Sequence, residues 1–159
     1  MNSLTIDLAN LKKDNWSDQD LNKAEHAVAF VQKIMNDHDF DYVVEHYAHH
    51  PYKQHNMSMA DGIGGVVQSM RELCAGFPEF SYDVRHIYVD GDYVTLHSHA
   101  TLTAADRSNP QKGFNIYDTW KIEGVLLVEH WDAIQGIDKA MRELAVQGAG
   151  LVRNENTLF

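Results

Sequence analysis

The chain is nearly without the residues that staple or break folds, with one cysteine and three prolines among 159 residues. A lone Cys74 can close no internal disulfide, and its place in an apolar helical pattern suits an inert packed thiol better than a nucleophile. A reducing, cytoplasmic setting is the expectation. Missing too is any run near the roughly 18 apolar residues of a membrane span, and the opening MNSLTIDLANLKKDNW has no continuous apolar segment of the secretory kind. Positive charge is scarce. Thirteen Lys and Arg against 23 Asp and Glu leave a formal charge of −10, which disfavours nucleic acid and anionic membranes as partners. The usual nucleotide, serine-hydrolase and redox signatures are absent as well. DGIGGV lacks dinucleotide spacing and follows no clear strand, and there is no GK[ST], no G-x-S-x-G and no CxxC. A small uncharged molecule or another protein remains.

What is present is a single domain with two halves of different period. Leu21, Ala24, Val28, Val31 and Ile34 or Met35 recur at helical spacing behind a cap at Ser17 or Asp18. Phe40, Val43, Val44 and Tyr47 predict a second helix ended by Pro51, and Val66, Val67, Met70, Leu73 and Cys74 a third, stopped by GFPEF. Between them, YKQHNMSMADG reads as a short extended piece and a turn. After Pro78 the period becomes two. Strands are predicted near 80–90, 92–104, 113–123 and 125–135, with tight turns at Gly91-Asp92 and Glu123-Gly124. The boundaries are a 1–16 arm, a 17–136 domain, and a 137–159 tail opening with the helical IDKAMRELAV. Helices first and an antiparallel sheet second give an α+β fold with a curved sheet around the helices.

Ten histidines are many for this length, and their placement suggests chemistry. In DYVTLHSHATLTA, His97 and His99 share one strand face with Tyr93, Thr95 and Thr101, while Val94, Leu96, Ser98 and Ala100 share the other. In the next strand, Asp118 lies with Ile116 and Trp120. In VEHWDAIQ either His130 and Asp132 or Glu129 and Trp131 point inward, and alternation alone leaves that open. His97, His99, Asp118, His130 and Asp132 come from three consecutive strands of one meander, so the spacing allows them to occupy one sheet face. Carboxylates beside imidazoles in an apolar cleft are the material of acid and base chemistry near neutral pH. A His-x-His pair with His130 or His55 and an Asp also matches metal-ligand types, but it is a weak signal, and no metal or other cofactor is expected.

The stretches YKQHNM, LHSHA after DGDYV, and YDTWKIEGVLLVEHWDAIQ resemble the SnoaL-like proteins of the nuclear transport factor 2-like superfamily, in the branch described as aldol-condensation enzymes. The resemblance spans roughly residues 20 to 135. It implies a cone-shaped, cystatin-like α+β barrel and a homodimer formed through the outer sheet face. It also implies a pocket lined by His97, His99, His130 and Asp132, with Gln54, His55 and Asn56 at its mouth, and Glu129 and Trp131 facing outward. On this basis Asp132 or Asp118 is the expected base and His130 or His99 an acid or hydrogen-bond donor. His97, Gln54, His55, Asn56 and Trp120 are expected to contact a substrate with a carbonyl group. Phe30, Val44 and Val67 are further candidate walls, although plain core suffices to explain each. Water activation against an epoxide or lactone, and a non-catalytic binding module, are the alternatives. Met57 stands where the family often has proline, and the tail beyond residue 136 is expected to cap the pocket or swap between subunits.

Overall fold

The protein is described by a computed structural model covering residues 3–148 and 150–158. A short helix α1 (Leu8–Leu11) precedes α2 (Asp18–Val31), which runs into a wider π-helical turn at Gln32–Asn36; α3 (Phe40–Tyr47) and α4 (Gly62–Gly76) follow. Ser17 caps α2: its hydroxyl accepts from Asp20 N–H while Asp20 accepts from Ser17 N–H at 2.9 Å, a reciprocal pairing of otherwise orphan donors. None of the described helices is long and apolar enough to cross a membrane.

Five strands form one sheet in the order β1-β5-β4-β3-β2, with β1 (Lys53–Gln54), β2 (Ser81–Asp90), β3 (Tyr93–Thr101), β4 (Phe114–Glu123) and β5 (Leu126–Gly136). The last four make the predicted antiparallel meander, within one or two residues of the expected ends except at the far end of β3. The expectation of a wholly antiparallel sheet needs one correction. The two residues of β1 pair parallel with β5, Lys53 beside Glu129 and Gln54 beside His130. Bulges between Val84 and His86 and between Lys121 and Ile122 bend the ladder, giving a concave face for the helices to fill.

That face carries the core. Ala24, Ala27, Phe30, Val31 and Ile34 from the α2 side meet Val94, Leu96, Trp120 and Ile122 from the sheet, all essentially buried. Phe30 meets Trp120 edge-on at 6.1 Å between centroids, and Trp120 Nε1 donates to the Tyr52 hydroxyl at 3.1 Å, so the indole is not left with an unmet donor. Asn36, at the π-helical turn, clamps β2: its amide donates to Tyr82 O at 3.0 Å and accepts from Tyr82 N–H at 2.7 Å. This fixes Tyr82 at one end of the concavity.

The C-terminal segment returns over the open end. Helix α5 (Lys139–Gly148) folds back on β5, a turn that needs Gly136, since a Cβ there would collide with the backbone at Met141 and Arg142. Beyond it, residues 151–158 form a strap along the 54–61 segment. Arg153 N–H donates to Met57 O at 2.7 Å, Asn154 Nδ2 to Asn56 O and Met59 O, and Asn156 Nδ2 to Gln54 O at 2.8 Å. The tail therefore caps its own chain's pocket.

Candidate active site

Between helices and sheet lies a cavity of about 490 Å³. Its walls are aromatic and thioether side chains, Phe30, Tyr52, Phe80, Tyr82, Phe114 and Trp120 with Met35, Met57, Met59 and Met70. Leu144 and Ala145 of α5 and Leu158 of the strap close one side. No lysine or arginine occurs among the described lining residues. Polar groups gather at one end: Asp118, His130 and Asp132 from the sheet, Asn56 and Ser58 from the loop after β1.

Register explains the gathering. Residues directly opposite across a ladder share a face, and Asp118 stands between Leu96 and Asp132, with Trp120 opposite His130 one step along. His130 is held on both sides. Its Nδ1 lies 2.9 Å from Gln54 Oε1 and its Nε2 3.1 Å from Asp118 Oδ1. Gln54 Oε1 also accepts from Asn56 N–H at 2.8 Å, which fixes the amide's orientation. Nδ1 must therefore be the donor to Gln54, and Nε2 and Asp118 must share a proton between them. Burial pushes the Asp118 carboxyl above its ordinary value, His130 opposing it and Asp132 adding to it. The Tyr82 hydroxyl also interacts with the carboxyl and holds it lower, and the second oxygen, Asp118 Oδ2, is buried. Burial also drives the Tyr52 and Tyr82 hydroxyls well above the normal range, so both remain protonated.

Asp132 has different surroundings, being only half-buried, and its Oδ2 accepts from Asn56 Nδ2 at 2.6 Å. Asn56 is itself oriented by Ser58, whose backbone N–H, 3.0 Å away, and hydroxyl both donate to Asn56 Oδ1. The site thus has two carboxyls in contrasting settings: one buried and sharing a proton, one nearer solvent and held as an acceptor. Such a contrast separates acid from base roles.

Five expected residues meet here: Asp118, His130, Asp132, Asn56 and Trp120. Gln54 contributes from behind, through His130, and does not line the cavity. Three expectations are corrected. His97 and His99 pair with Tyr117 and Asn115 on the opposite, outer face of the sheet, because the buried side of β3 is the alternate set Val94, Leu96, Ser98 and Ala100. There His97 Nε2 meets Asn115 Oδ1 at 2.7 Å, His97 Nδ1 meets His86 Nδ1 at 3.0 Å, and His99 Nε2 meets Lys112 O. A more open hollow of about 400 Å³ lies beside them, lined also by Arg85. His55, expected to contact the substrate, does not line the cavity either and is buried beneath the strap. It stacks on Trp131 at 4.7 Å, its Nε2 is 2.7 Å from Glu129 Oε1, and its Nδ1 faces Thr157 O of the strap. Of the wall candidates, Phe30 lines the cavity, Val67 is core, and Val44 is largely outside. Tyr52, Tyr82, Ser58 and the methionines were not foreseen; the alternation Ser81, Tyr82, Asp83, Val84 carried a signal only for Tyr82.

The SnoaL-like domain family matches residues 27–130. The chain belongs to this family. No curated protein matches it in sequence. Among solved structures, a candidate polyketide cyclase from Bacillus cereus is similar over 94% of this chain and 91% of its own, at 16% identity and a TM-score of 0.63. A SnoaL-like protein of unknown function from Burkholderia thailandensis covers 76% of this chain and 99% of its own, at 14% identity and a TM-score of 0.57. A cystatin-fold protein from Novosphingobium aromaticivorans covers 70% and 97%, at 18% identity and 0.55. At these identities the likeness establishes the SnoaL-like α+β fold and no more.

Proposed function

We propose that this SnoaL-like protein is an acid–base enzyme acting on a small, largely apolar carbonyl compound, with every reactive group supplied by its own chain. The observation that carries the reading is the buried Asp118–His130 pair, which shares a proton at the polar end of the cavity while Asp132 stands beside it. Donor atoms of the three groups lie within 4.8 Å of one another. That span lets one group meet a carbonyl oxygen while another meets the hydrogen on the neighbouring carbon.

In this mechanism Asp132 takes the α-proton and the electron pair moves into the carbonyl as an enolate. Asp118, with His130 behind it, donates a hydrogen bond or the shared proton to the developing oxyanion. The Tyr82 hydroxyl, which interacts with Asp118, supports the same end. The enol is then reprotonated at another carbon, an isomerisation, or attacks a second carbonyl to form a carbon–carbon bond, an aldol step. A positioned base is worth about 10²–10⁴ in rate and one preorganised donor about 3 kcal/mol. The lining favours an uncharged substrate, since an anion would meet two carboxyls and no lysine or arginine among the described lining residues. The cavity corresponds to about sixteen water volumes at roughly 30 Å³ each, the scale of a small one- or two-ring compound.

We also propose that a second copy of the chain packs on the outer face, a reading supported by exposed Tyr88, Tyr93 and Tyr117 beside the His86–His97 stack. Catalysis is tested by following deuterium incorporation α to the carbonyl across a panel of small ketones in heavy water. The protein is expected to accelerate exchange for at least one, and Asp132→Asn to remove about 10²-fold or more. Equal exchange by wild type, Asp132→Asn and Asp118→Asn would reject the mechanism.

A further inference from the structure

The side chains that orient the acid and the base both come from one short stretch, residues 54–59. Gln54 Oε1 accepts from His130 Nδ1, and Asn56 Nδ2 donates to Asp132 Oδ2 at 2.6 Å. That stretch has little to hold it from within. Among the described residues its one internal backbone bond is Met59 N–H to Asn56 O at 3.1 Å, and a segment outside helix and ladder keeps a fixed shape only where other groups take up its backbone.

The strap does so. The carbonyls of Gln54, Asn56, Met57 and Met59 all accept from it: Asn156 Nδ2 reaches Gln54 O, Asn154 Nδ2 reaches both Asn56 O and Met59 O at 3.0 and 2.8 Å, and Arg153 N–H reaches Met57 O. Asn154 is buried, and its own oxygen accepts from Asn156 N–H at 3.0 Å, which fixes the end of the amide that donates. The second hydrogen of Asn156 Nδ2 goes to Asp61 Oδ1 at 3.0 Å, the oxygen that also receives Gln54 N–H at 2.8 Å. Gln54 is therefore gripped at its N–H and its C=O together. The seam lies on the cavity itself, since Met57, Ser58, Met59 and Leu158 all line it.

We propose that Asn154 and Asn156 are positioning residues: through the backbone of residues 54–59 they set Asn56 against Asp132 and Gln54 against His130, so that the base and the acid are aligned only while the strap is docked. Its catalytic consequence rests on the acid–base reading, whereas the alignment itself is a matter of geometry. Loss of either amide should slow the chemical step more than it weakens substrate capture, because the apolar walls come mostly from the helices and the sheet. A tail that merely covered the opening would change affinity or stability and leave the trio where it is.

The test uses the full chain with Asn154→Ala, Asn154→Asp, Asn156→Ala and, as a control in the same strap, the exposed Glu155→Ala. Nitrogen-15 spectra of the free protein report the Asn56 side-chain amide and the His130 ring nitrogens. Both are expected to shift in the two alanine variants at 154 and 156 and to stay in place in Glu155→Ala. Asn154→Asp keeps the shape but not the donor and is expected to behave like Asn154→Ala. In ketone exchange kcat should fall by about ten- to a hundredfold with KM little changed. Asn156→Ala, at a half-buried position, carries the same expectation should circular dichroism find Asn154→Ala unfolded. The inference is overturned if both resonances keep their wild-type positions, if Glu155→Ala moves them as far, if Asn154→Asp matches wild type, or if the resonances move while kcat does not. A wild type that exchanges no ketone removes the acid–base reading alone, and the spectra then decide whether the strap aligns the site.

Discussion

Replacing Gln54 by leucine keeps the side chain's size but removes the acceptor on which the site's orientation depends. Gln54 is fully buried, and its Oε1 receives both His130 Nδ1–H at 2.9 Å and Asn56 N–H at 2.8 Å. The leucine variant leaves two donors without that partner, the buried His130 Nδ1–H and the half-buried Asn56 N–H. At about 1–3 kcal/mol for each orphaned group, the loss is about 2–6 kcal/mol, a large share of a typical 5–15 kcal/mol. For a chain of this length the melting temperature should fall by roughly 4–24 °C. Urea denaturation followed by tryptophan fluorescence reads the stability directly. The control is Gln68→Leu, which loses only a surface contact with Glu72 at 2.9 Å and should change stability by less than about 0.5 kcal/mol. If Gln54→Leu also stays within about 0.5 kcal/mol of wild type, the hydrogen-bond relay through His130 is wrong.

His55→Phe retains the stack on Trp131 but severs the contacts with Glu129 and the Thr157 carbonyl; limited proteolysis should then clip the strap after Leu151 several times faster, and unchanged cleavage would count against its role as an anchor. The Cys74 thiol is pushed up to about 11 by burial, so alkylation by iodoacetamide at pH 8 should be slow in the folded protein and fast in urea; equal rates would contradict that. On the outer face, Tyr117→Asp, at a side chain stacked on His97 at 4.3 Å, should shift a dimer toward monomer in sedimentation while leaving the cavity intact, and an unchanged mass would remove the sheet face as the interface.

Most of the architecture was legible because long periodic segments report burial directly. The four-strand meander and helices α2, α3 and α4 follow from spacing and breakers. β1 was legible only as a short extended piece, because two residues of strand have no period and its parallel partner lies 76 positions away, Gln54 against His130. The site was half legible. His130 and Asp132 fall on the concave face as the resemblance implied, and Asp118 and Trp120, grouped by alternation, join them there, yet His97 and His99 do not. The alternation in β3 already held that answer: Val94, Leu96 and Ala100 are its apolar set and belong in the core, which sends the intervening histidines out. The resemblance drew them inward against the hydrophobic pattern, and the pattern prevailed. What alternation cannot report is which way an amide points, so the role of Gln54 as an orienting acceptor became visible only when Asn56 N–H was found on the same oxygen. The strap was invisible for a similar reason, since RNENTLF is held through asparagine side chains on backbone carbonyls rather than through an apolar pattern.

The proposed chemistry requires the concave-face trio to act as one proton-transfer unit and the outer-face histidines to be bystanders. Nitrogen-15 spectra of the histidine side chains, recorded while titrating a naphthol as an enolate mimic, test it most directly. His130 is expected to resonate with a protonated Nδ1 in the free protein and its Nε2 to shift on naphthol binding, while His97 and His99 do not move. Naphthol that perturbs His97 and His99 while leaving His130 unmoved would contradict it.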